Sequence, residues 1–118
     1  MKSLFAILVF LPSLSFANDF YCISQFRGEN PATQEYEVIT QKLEVLYEDT
    51  ETLVLNNQLQ DFSFYSTYSK STQEVMLQII NSQNENYGVL SAGVMSKNRT
   101  QKLSYVAGET VYIIECSL

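Results

Sequence analysis

Cys22 and Cys116 are the chain's two cysteines, and they stand near opposite ends of it. Such a pair can form a redox couple, half of a metal site, or a disulfide. The spacing is not the Cys-x-x-Cys of a redox centre, and zinc would need further ligands from a chain that has no histidine. A single disulfide across 94 residues is therefore expected. It requires an oxidising compartment. Closing so long a loop stabilises a fold by roughly 4–5 kcal/mol in chain-entropy models.

The missing histidine also removes Ser-His-Asp and Cys-His centres. The chain has neither a Gly-x-x-x-x-Gly-Lys run nor a Gly-x-Gly-x-x-Gly run to cradle phosphate. Glu48, Asp49 and Glu51 crowd one short stretch and bring calcium to mind. A calcium loop needs a longer ladder of oxygen ligands and a glycine at its bend, and this stretch has neither. It reads as a charged turn. Thirteen acids offer carboxylate pairs of the kind glycoside hydrolysis uses, but the pattern singles out none. No catalytic residue, metal ligand or cofactor is expected, and the protein reads as a non-enzyme.

An oxidising compartment implies export, and the start of the chain agrees. Lys2 supplies a positive charge and Leu4 to Leu11 is uninterruptedly apolar. That run is far short of the ~20 residues that span a bilayer. Pro12 ends it, and Ser15-Phe16-Ala17 has the small residues of a cleavage site. Residues 1–17 read as a signal peptide and 18–118 as one small domain. The expected location is periplasmic or extracellular. No later stretch is apolar enough to cross a membrane.

The net charge is −6. It is uneven: between Asn18 and Asp61 the acids are opposed by Arg27 and Lys42 alone, whereas the remainder is balanced. Nucleic acid is not an expected partner, because its phosphates would be repelled. Acidity of this kind keeps a small domain in solution.

These residues must be positioned by strands. Phe20 to Phe26 alternates, with Phe20, Cys22, Ser24 and Phe26 on one face. Arg27 to Ala32 is a break. Tyr36 to Tyr47 reads as one strand with Ile39, Leu43 and Val45 on a common face. Thr52 to Leu55 is a short strand stopped by a turn at Asn56-Asn57. Phe62 to Tyr68 has the clearest alternation, and Glu74 to Asn81 turns Val75, Leu77 and Ile79 inward. Tyr87 to Met95 carries Gly88 and Gly93, which mark bulges or sharp bends. Gln101 to Ala107, a Gly108-Glu109 hairpin turn and Val111 to Cys116 complete the chain.

Eight short strands predict an all-β domain. An up-and-down antiparallel barrel is favoured, with a β-sandwich as the alternative. Pairing the first strand with the last would set Cys22 opposite Cys116 and remove both sheet edges. Function then falls to the loops of a rigid scaffold. The expected role is a non-catalytic exported domain that binds a protein or cell-envelope component. The candidate contacts are Arg27, Gly28, Glu29 and Asn30; Glu48, Asp49 and Glu51; and Lys97, Asn98 and Arg99. Asn98 also opens the sequon Asn98-Arg99-Thr100. Two other readings are a carrier of a small apolar ligand inside the barrel and a carboxylate-based hydrolase.

Overall fold

A computed structural model describes residues 20–95 and 99–118. The expected signal peptide lies outside the described residues, as do Lys97 and Asn98. The elements are β1 (Tyr21–Glu29), β2 (Tyr36–Lys42), β3 (Glu44–Glu48), β4 (Thr52–Leu59), β5 (Phe62–Ser69), β6 (Glu74–Asn81), β7 (Gly88–Val94), β8 (Thr100–Ala107) and β9 (Thr110–Ser117). All pairings are antiparallel. One sheet has the order β2-β1-β9-β8 and the other β3-β4-β5-β6-β7.

The pairing of first and last strands is as expected. Cys22 is directly opposite Cys116 in the β1–β9 register, and the two form the disulfide with Cα atoms 4.0 Å apart. Both cysteines are fully buried. Apart from β1 and β9, hydrogen-bonded neighbours are consecutive in the chain, as in a meander. The hydrogen bonding does not close, however. Among the described residues it is interrupted between β2 and β3 and between β7 and β8, so the strands form two sheets facing each other.

Both interruptions have a residue-level cause. The expected single strand Tyr36–Tyr47 is in fact two, divided at Leu43, where the chain leaves one sheet for the other. Leu43 is buried, and its N–H donates to the Cys22 carbonyl at 2.9 Å. At the second crossing Met95 is fully buried, and its N–H donates to the Gln73 carbonyl at 2.8 Å. An apolar side chain thus fills each seam. The division also corrects the reading of Val45. It does not share a covered face with Leu43 but is 60% exposed, because β2 has already ended and no second sheet lies over it.

The core follows period-two alternation. Cys22, Ser24 and Phe26 of β1 and Tyr112, Ile114 and Cys116 of β9 face Leu53, Leu55 and Leu59 of β4, Phe62, Phe64, Ser66 and Tyr68 of β5, and Val75, Leu77 and Ile79 of β6. Burying each large apolar side chain contributes about 1.5–3 kcal/mol. Phe62, Phe26 and Phe64 gather round Tyr112, with ring centroids 4.1, 5.5 and 6.4 Å away. At the other end Phe20 stacks on Tyr68 at 4.1 Å.

Two turn expectations need correction. Asn56 and Asn57 do not form a turn; they continue β4 opposite Tyr65 and Phe64. The chain reverses at Gln60-Asp61 instead, with Gln60 in the left-handed region (φ 55°). Nor do Gly88 and Gly93 mark bulges, since β6 and β7 pair in unbroken register. Gly88 allows a close approach: a Cβ there would lie 2.5 Å from the Ile79 carbonyl oxygen. The Gly108-Glu109 turn forms as expected, with Gly108 at φ +66°.

Candidate functional site

The candidate residues lie at opposite ends of the sandwich. Up-and-down order puts the β1–β2 loop and the β8–β9 turn at one end. The β3–β4 turn, the β5–β6 loop and the start of β8 lie at the other.

Arg27, Gly28 and Glu29 are in strand rather than loop, because β1 runs on to Glu29. Arg27 is exposed and its Nε donates to Gln25 Oε1 at 2.6 Å. Gly28 is buried against Thr110, leaving no room for a side chain without a shift. Asn30 organises the loop that follows. Its amide Nδ2 donates to Glu37 Oε1 at 2.9 Å, its Oδ1 accepts from the Ala32 N–H at 2.9 Å, and its backbone N–H donates to the Glu35 carbonyl at 2.9 Å. Its own carbonyl accepts from the N–H groups of Thr33 and Gln34.

The acidic turn is equally committed to itself. Asp49 Oδ1 accepts from the N–H groups of Glu51 and Thr52 at 2.8 and 2.7 Å, and its Oδ2 accepts from the Tyr47 hydroxyl at 2.7 Å. The Tyr47 hydroxyl, then those two backbone donors, hold the Asp49 carboxyl below its ordinary range. Lys70 Nζ bridges Glu48 Oε2 and the Asp49 carbonyl, both at 2.7 Å. Asp49 and Glu48 are spent on turn geometry, as in an Asx-turn. Among the described residues no cluster of acids, cysteines or histidines could hold a metal ion. Arg99 is exposed, and its guanidinium donates to the Leu118 carbonyl at 2.9 Å.

Sequence reasoning missed the outward apolar residues. On β3, Val45, Leu46 and Tyr47 are all more than half exposed, as are Tyr36 and Val38 on β2. Beside them a notch of about 180 Å³ opens at the β2–β3 seam, lined by Phe20, Tyr21, Leu43, Val45, Leu53 and Leu55. A second depression, about 500 Å³, lies on the outer face of β5–β7 between Thr67, Met76, Ala92 and Val94. A third, about 610 Å³, lies at the β1–β2 loop end, where Glu29 and Glu109 share it with Tyr36 and Thr110. Both of its acids are exposed. The broken alternation of Tyr36–Tyr47 was the sequence signal for the first of these.

Among the described residues no helix is long and apolar enough to cross a membrane. Comparison with protein-family models, curated proteins and solved structures finds no match in any of the three.

Proposed function

We propose that the protein is a non-catalytic exported β domain that binds a protein or cell-envelope component from the outside of a rigid scaffold. The observation that carries this reading is where the polar and apolar groups are spent. The interior is occupied by Phe62, Phe64, Leu77, Ile79 and Ile114. The candidate acids Glu48 and Asp49 are consumed in holding their turn. Exposed apolar side chains sit outside, most of them on the edge strands β2, β3, β7 and β8. Export rests on residues 1–17 and on the disulfide, which an oxidising compartment favours. The consecutive strand order supports reading the fold as a barrel parted at two seams.

The carrier reading is weaker, because the interior that would hold a ligand is filled with its own side chains. The hydrolase reading rests on Glu29 and Glu109 at an open depression, with no closed cleft to orient a substrate or exclude water. The test is site-specific photo-crosslinking in the cell that makes the protein. A photoreactive residue is placed at Asn30, Glu51 or Arg99, and adducts are collected from the exported fraction. One reproducible partner at a loop position is expected. No adduct at any position, or turnover of a glycoside by the purified protein, overturns the proposal.

A further inference from the structure

The β2–β3 ribbon is the most acidic part of the chain and also carries its densest exposed apolar surface. Glu35, Glu37, Glu44, Glu48, Asp49 and Glu51 lie along it or at its ends, with Lys42 as the base within it. Among the described residues both strands are sheet edges, each paired on one side only. Edge strands are usually blunted by charge on the strand or by a covering element. β3 is short, carries Glu44 and Glu48 at its ends and has a bulge between Val45 and Tyr47, but all five of its residues are exposed and no charge separates Val45, Leu46 and Tyr47. The inward side of β3 is open as well. Leu53, Leu55 and Phe20 floor the notch beside Val45, where the opposing sheet has ended.

We propose that the free edge of β3 is the docking site for an extended polypeptide segment of alternating apolar and basic residues, which adds to the sheet as a further strand. Backbone hydrogen bonds to β3 supply the register, as in other strand additions. One apolar side chain enters the notch beside Val45, whose volume suits a single such group. Basic side chains on the other face meet Glu44, which lies opposite Asn56 on the strand itself. A second copy of this chain is disfavoured as the occupant, because two such edges would bring acid against acid. The proposal rests on the binding reading above and deepens it by naming surface and partner chemistry.

The test uses three fluorescent synthetic decapeptides and the disulfide-bonded domain, read by fluorescence anisotropy. One alternates valine and lysine. The second has glutamate for lysine, and the third is the lysine peptide N-methylated at alternate amides. The lysine peptide is expected to bind at least tenfold more tightly than either of the others. Val45→Asp and Leu46→Lys, both at exposed positions and so compatible with folding, are expected to weaken it at least tenfold. Equal binding of the N-methylated peptide, or binding unaffected by both substitutions, overturns the proposal. So does a concentration-dependent dimer that Val45→Asp abolishes in sedimentation. A photoreactive residue at Leu46 separates the two levels. Adducts at Asn30, Glu51 or Arg99 but not at Leu46 contradict the edge alone, whereas no adduct anywhere contradicts the binding reading too.

Discussion

Asn57 is the inward position of β4 that is not aliphatic, between Leu55 and Leu59. Its Nδ2 donates to Ser24 Oγ of the opposing sheet at 2.7 Å, while its buried Oδ1 has no partner among the described residues. A half-satisfied buried amide costs stability unless both partners are removed together. Ser24→Ala is therefore expected to cost about 1–3 kcal/mol in urea unfolding. The double variant Ser24→Ala/Asn57→Leu should recover that loss; a double variant less stable than Ser24→Ala contradicts the account. Burial, then the charge of Asp61, raises the Tyr112 hydroxyl above its ordinary value of 10.0. A raised folded value means that its contribution is complete below pH 10.0 and is lost as pH rises through the folded value. Alkaline unfolding should begin in that window, and Tyr112→Phe should make stability flatter across it. Alternation with Cys22 and Phe26 made Ser24 legible as an inward residue. Asn57 was not legible, because its preference for turns is local, whereas its partner lies 33 residues away.

Val45 and Leu43 separate the actual strands from the expected one. On a single strand both would be covered and would cost alike when truncated. With the chain changing sheets at Leu43, Leu43→Ala should cost about 2–5 kcal/mol, whereas Val45→Ala should stay within about 0.5 kcal/mol. Thermal melts of the two variants check this, and equal losses would restore the single strand. Gly88→Ala should destabilise as well, since the new Cβ meets the backbone of Ile79, which cannot swing away. The elements with clean alternation, β1, β5 and β6, were readable because each packs one face on a core. The β2–β3 ribbon was not, because a strand that leaves one sheet for another exchanges its covered face midway. The candidate loops were legible as polar turns, but the bonds of Asn30 and Asp49 that commit them to turn geometry depend on contacts no local pattern encodes.

At the scale of the whole molecule, the first and last strands hold the smaller sheet together. β1 and β9 are its central pair, and the disulfide fixes them where the sandwich is driest. The all-β class, the antiparallel neighbours and this pairing follow from short strands, short loops and two cysteines, one in the first strand and one in the last. Whether the sheet closes depends on where the chain crosses the core, which Leu43 and Met95 decide. The most direct test is the intact mass of the protein recovered from its producing cell, after thiol alkylation without reduction. The expected species begins at Asn18, carries no alkyl group and is two hydrogens lighter than its dithiol form. A mass that includes residues 1–17 and two alkylated cysteines would contradict it.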